Sequence, residues 1–159
     1  MSFETTYPDH VAYLQKATEA ALAAHGYEAL VVCSGAAQSK NRFDDQSWPL
    51  CPTPTFTHWC PLAEADAFLI VRAGRKPTLV RTVSDDFWET TPSPESDHFW
   101  SELDVVTVEP GHAGDVLPGG KVAVVTRDPG QAPPGEVNPA AIPTLTIISR
   151  KSMPGTLSR

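Results

Sequence analysis

The sequence has no run of apolar residues approaching the roughly 18–20 needed to cross a bilayer, so no membrane span is expected. Its N-terminus, MSFETTYPDH, carries acid where a signal peptide would carry Lys or Arg ahead of an apolar stretch. Positive charge is short throughout: 12 Lys and Arg stand against 19 Asp and Glu, a formal net charge of −7. That balance argues against nucleic acid or an anionic membrane as the main partner, since both need a basic face. Only three cysteines occur (Cys33, Cys51 and Cys60), which give no even disulfide framework. Free thiols in a cytoplasmic protein are the expectation.

Motifs for chemistry are missing as well. The five histidines (10, 25, 58, 98 and 112) stand alone, with no HxH, HExxH or CxxC to set two metal ligands on one face. Cys51, His58 and Cys60 come nearest to a cluster, but their spacing matches no standard zinc pattern. GxSxG and a glycine-rich phosphate loop are both absent. Cys33 sits inside an apolar run, where burial makes a thiol inert. No self-sufficient active site is visible, and no metal site is expected in this chain.

What the sequence does hold is one unusual stretch, FDDQSWPLCPTPTFTHWCPL from Phe43 to Leu62. It concentrates paired aspartates, two tryptophans, two phenylalanines, a histidine and four prolines in twenty residues. Each proline removes a backbone donor and fixes φ, so the stretch reads as a long rigid loop rather than a helix or central strand. Such a loop serves recognition or caps the core beneath it, and composition leaves both open.

Around it the chain reads as a layered α/β domain of 159 residues, long enough for a sizeable core. Val11, Leu14, Thr18, Ala21 and Leu22 recur at helical spacing and predict a helix from about Asp9, its cap, to His25, with Gly26 ending it. The apolar run Ala29–Cys33 predicts a buried strand. Ala67–Ala73 and Thr78–Val83, joined by Gly74-Arg75-Lys76-Pro77, predict a hairpin. Pro94-Glu95-Ser96 can start a short helix carrying Phe99, Trp100 and Leu103. Asp104–Val108 and Lys121–Thr126 predict strands, with a brief helical turn at Ala113–Leu117 between them. The last eight or so residues are expected to be disordered. Asp44-Asp45 and Asp85-Asp86 each adjoin aromatics. Neighbouring residues in extended chain point opposite ways, so neither pair is a two-carboxylate catalytic unit; loop capping competes with a site role for both.

Taken together, HVAYLQKATEAAL, ALVVCSG, the Phe43–Leu62 stretch, GRKPTLVRTVSDDFWE and FWSELDVV resemble the N-terminal domain of bacterial Xaa-Pro dipeptidases (prolidases), relatives of the organophosphorus acid anhydrolases. The resemblance runs from about Tyr7 to Pro139. It implies an α/β creatinase-like fold, a mixed β-sheet with helices on both faces, over residues 1–141, followed by an irregular tail over 142–159. It further implies that the catalytic pita-bread domain, which binds two Mn²⁺-type ions in such enzymes, is not included. On that resemblance the chain is expected to form a homodimer and to be inactive by itself, meeting a dipeptide ligand only with a catalytic domain. By position, Asp45 and Trp88 are similar to residues that line the substrate end of the partner subunit's cleft, while Phe43, Trp59 and Pro61 shape the loop. Departures occur at Pro49-Leu50 and at Cys51-Pro52-Thr53-Pro54, where the family carries Pro-Phe and Val-Asn-Pro. The pattern is lost at about Ile142, as a disrupted or trimmed reading frame would leave it. A fragment of a working dipeptidase and a stand-alone small-molecule-binding or regulatory module are the alternatives.

Overall fold

The computed structural model describes residues 3–41, 46–83 and 99–127. Helix α1 spans Phe3–His25 and leads into strand β1, Ala29–Cys33. A short helix α2, Pro54–Trp59, precedes the strands β2 (Phe68–Arg72), β3 (Thr78–Thr82), β4 (Asp104–Val108) and β5 (Val122–Val125). Single 3-10 turns at Trp100–Glu102 and Ala113–Val116 flank β4. The strands form one sheet in the order β4-β3-β2-β1-β5. β2 is antiparallel to both β1 and β3, while β4 runs parallel to β3 and β5 parallel to β1. This is the mixed α/β sheet that the sequence leads one to expect.

Side-chain alternation along the strands builds two layers. Leu30 and Val32, Leu69 and Val71, Leu79 and Ala123 share one face with Val11 and Leu22 of α1, Phe56 and Trp59 of α2, and Phe99, Trp100 and Leu103. Ala29, Val31, Phe68, Ile70, Val80 and Val124 point to the other face, where Ala113, Val116 and Leu117 pack. Among the described residues both α-helices thus cover the same face, and a 3-10 turn lies on the opposite one. The central strands β1 and β2 are buried almost along their whole length, which is why they read as continuous apolar runs.

Two sequence expectations need correction. Helix α1 starts six residues before Asp9, which therefore lies inside the helix and does not cap it. Pro8 falls within its second turn and removes one main-chain hydrogen bond. Docking against α2 offsets that loss. Tyr7 Oη donates to the Trp59 carbonyl at 2.5 Å, and His10 Nε2 donates to the His58 carbonyl at 2.7 Å. The rings of His10 and His58 stack with centroids 5.0 Å apart. The second correction is α2 itself, which lies inside the stretch read as helix-free. Pro54 occupies its first turn, the position where a missing N–H costs nothing, so the proline starts the helix instead of forbidding it. The expected helix start at Pro94-Glu95-Ser96 and the C-terminal tail lie outside the described residues.

The chain reverses after α1 as the sequence suggests, with Gly26 at φ 67° and the Tyr27 amide bonded back to the Leu22 carbonyl at 3.0 Å. The β2–β3 turn is tied to the same helix, where Glu19 accepts from the Gly74 amide at 2.9 Å and Gln15 donates to the Arg75 carbonyl at 2.7 Å. A Gly26→Ala substitution should lower stability by about 1 kcal/mol, because nothing crowds the new methyl and only the left-handed backbone resists it. Phe56→Ala should cost about 3–5 kcal/mol, the range for a fully buried aromatic. Urea unfolding of the two variants checks the ranking, and equal midpoints would contradict it.

Candidate functional site

Because β2 alone runs against the others, the carboxyl ends of β1, β3, β4 and β5 all open on one edge of the sheet. The segments that follow β1 and β3 leave from that edge, two strand spacings or about 10 Å apart. The first contains Asp45 and the second Trp88. Residues 42–45 and 84–98 lie outside the described residues, so Phe43, Asp44, Asp45, Asp85, Asp86 and Trp88 receive no placement of their own. What the fold supplies is the common edge from which both segments depart.

The flanks of the first segment are well defined. Gln38–Lys40 and Gln46–Trp48 form a small antiparallel stem, with the Lys40 amide donating to the Gln46 carbonyl at 2.9 Å and the Trp48 amide to the Gln38 carbonyl at 2.8 Å. Lys40 Nζ donates to Gln46 Oε1 at 3.0 Å and stands 5.7 Å from the centre of the Trp48 ring. Trp48 is 59% exposed, an unusual state for so large an apolar side chain.

Beneath this stem the backbone is strapped to the sheet by two committed hydroxyls. Ser34 Oγ accepts from the Ala67 amide at 3.1 Å, and Thr53 Oγ1 donates to the Cys33 carbonyl at 2.6 Å. The Thr53 amide adds a bond to the Ser34 carbonyl at 2.8 Å. These ties leave a cleft of about 100 Å³ at the carboxyl ends of the neighbouring parallel strands β1 and β5. Its walls include Gly35, Trp48, Pro49 and Leu50, with Arg127 reaching it from beyond β5. In open α/β sheets this is the end at which ligands bind.

The other fixture of this edge is a buried ion pair. Arg81 lies on β3 with only 2% of its side chain exposed. Its Nε donates to Glu64 Oε2 at 2.8 Å and its Nη2 to Glu64 Oε1, a bidentate contact. The guanidinium carbon also sits 5.1 Å from the centre of the Trp100 ring. Glu64 belongs to the segment between α2 and β2, and Trp100 lies where the described chain resumes after residue 98. One side chain therefore holds two separate segments against the sheet. No motif in the sequence marks Arg81, and the one signal of it is its position two residues after Leu79, which puts a charge on the core-facing side of a strand.

The remaining candidates are structural. Cys33 and Cys60 are buried and free, and burial pushes each thiol up to about 12. Burial likewise raises the Tyr7 phenol, with Cys60 and Glu102 adding to it. Trp59 is core and Pro61 is exposed. Among the described residues no group of three or more His, Cys, Asp or Glu could hold a metal ion. No helix of the described residues is long and apolar enough to cross a membrane.

Comparison with known proteins agrees with this architecture. The family model described as Xaa-Pro dipeptidase, N-terminal domain, matches residues 5–145. The Xaa-Pro dipeptidase of Marinobacter nauticus is 35% identical over 138 residues, which is 85% of this chain and 32% of that protein. Its counterpart in Pseudoalteromonas atlantica is 39% identical over 103 residues, covering 63% of this chain and 23% of the relative. The Xaa-Pro dipeptidase of Colwellia psychrerythraea is 38% identical over 99 residues, or 61% and 22% of the two chains. The chain spans about a third or less of the length of these curated relatives.

Two outcomes are expected from this geometry. Glu64→Gln should destabilise the protein by about 3–5 kcal/mol, because it leaves the Arg81 guanidinium buried against a neutral partner. The double replacement Arg81→Met with Glu64→Leu should recover most of that loss, and denaturant unfolding of the three proteins measures both effects. The second outcome concerns pH. His58 is held below the ordinary imidazole value of 6.5, first by burial and then by the neighbouring His10. The native state then binds fewer protons than the unfolded chain just below pH 6.5, so stability falls as pH drops through that value and levels off below the native pKa. Thermal midpoints between pH 7.5 and 5 should fall more steeply for the wild type than for His58→Gln; parallel slopes would refute the assignment.

Proposed function

Since the chain belongs to the Xaa-Pro dipeptidase N-terminal domain family, we propose that it serves as the non-catalytic N-terminal unit of a prolidase-type metallopeptidase. In this reading it pairs two copies and lines the dipeptide site of the partner subunit, while the metal-dependent hydrolysis belongs to a separate catalytic domain. The observation that carries the reading is the family match over residues 5–145 on an open mixed sheet. The common departure edge of the segments holding Asp45 and Trp88 supports it. Two segments rooted about 10 Å apart can present an acidic and an aromatic side chain to one ligand.

Asp45 supplies an anion for the cationic N-terminal amine of the dipeptide, a charge-assisted contact of about 1.5–3 kcal/mol. Trp88 supplies an apolar wall beside it. The setting is cytoplasmic, in keeping with the three free cysteines.

The chain alone, with Mn²⁺ added, should not hydrolyse an Xaa-Pro dipeptide. Hydrolysis by the purified 159-residue protein would overturn that part of the reading. Mixed with the separately expressed catalytic domain of the Marinobacter nauticus relative, it should restore Mn²⁺-dependent dipeptide hydrolysis. Asp45→Ala in that mixture should lower kcat/KM by roughly 10–100-fold, the equivalent of the lost contact. Restored activity that is indifferent to Asp45→Ala would remove the residue from the site.

A further inference from the structure

The cleft between the Trp48 stem and the carboxyl ends of β1 and β5 takes no part in the function proposed above, and its lining is mixed in a particular way. One wall is apolar, formed by Trp48, Pro49 and Leu50. The floor is the backbone at Ser34 and Gly35, already fixed by hydrogen bonds to Thr53, Asp66 and Ala67. Gly35 has φ 119°, and a Cβ there would meet Leu50 Cδ1 at 3.8 Å inside the cleft. The lining carries a single cationic side chain, Arg127. Neither a hydrogen bond nor an ion pair engages Arg127 among the described residues. A guanidinium at the mouth of a pre-formed, half-apolar cleft is an anion receptor with one charge to offer.

From these features we infer that the cleft binds a small monocarboxylate with a short apolar chain. Arg127 pairs with the carboxylate, and Trp48, Pro49 and Leu50 cover the chain. The planar fork of the guanidinium suits both oxygens of a carboxylate. A phosphate dianion is a poorer match. It would meet one cation only, in a protein of net charge −7. Size sets the chain length: an apolar cavity of about 150 Å³ holds benzene, so about 100 Å³ accommodates a body of roughly four carbons. Lys40 stands over the Trp48 ring at 5.7 Å, a cation–π contact on the exposed wall. The site needs neither a catalytic domain nor a second subunit.

The test is a butyrate titration of the full 159-residue chain followed by amide and indole N–H resonances. Saturable shifts are expected at Gly35, Leu50 and the Trp48 indole, with a Kd of roughly 1–10 mM, as suits a ligand of about six non-hydrogen atoms. Arg127→Gln, an exposed position whose change should leave the remaining spectrum intact, should weaken binding at least tenfold, and Trp48→Ala should weaken it as well. Three results would each overturn the inference: no saturable shift up to about 50 mM, equal affinity for 1-butanol, or undiminished binding by Arg127→Gln. Inorganic phosphate binding as tightly as butyrate would overturn the choice of a carboxylate.

Discussion

The Arg81–Glu64 pair is the constraint to which the working edge of this domain is bound. On a strand that is apolar on both faces, packing is non-directional and lets the segments lying against it slide, although the backbone ladder fixes the strand's own register. A bidentate guanidinium–carboxylate contact does not slide. By planting Arg81 on β3 with its head under Trp100, the fold fixes both the approach to β2 and the point where the chain comes back to the sheet after β3. Such a pair adds little net stability over an apolar one of the same size. Its effect is positional, and position is what an edge needs if it is to present side chains from different segments.

The second constraint is strand direction. A single antiparallel strand in the middle of the sheet, β2, is bordered by β1 and β3, and these carry their parallel neighbours β5 and β4. Four carboxyl ends then share one edge, and the long connections gather there. Ser34 and Thr53 use their hydroxyls on backbone groups, so the loop after β1 begins and ends on rigid ground. The same arrangement serves both the proposed lining of a neighbouring dipeptide site and the Arg127 cleft: irregular chain does the contacting, and the sheet holds it still.

At the opposite side of the Trp59 layer, the first turns of α1 lie on α2 through Tyr7 and His10. This contact joins two pieces of chain about fifty residues apart, and it turns a proline-bearing N-terminal segment into helix. Neither Pro8 nor Pro54 is a helix breaker here. One is overridden by docking, and the other sits where a helix tolerates proline.

Much of this was legible in the residues. The run Ala29–Cys33 matched its strand, Gly26 ended α1 and the Gly74–Pro77 turn joined β2 to β3, because local propensity and burial point the same way in those segments. The peculiar order of FDD, tryptophan and proline positions also carried the family, which composition could not. What the sequence could not decide were the features that depend on partners distant along the chain. The extra turns of α1 need the carbonyls of His58 and Trp59, α2 needs the core that buries Phe56, and the charge of Arg81 needs Glu64 seventeen residues before it. The cleft is the clearest case. Trp48 and Arg127 are seventy-nine positions apart, and only the parallel pairing of β5 beside β1 makes them neighbours. Local sequence fixes which segments are helix, strand and turn through short-range sterics and periodicity; the pairing order of the strands decides which side chains share a site.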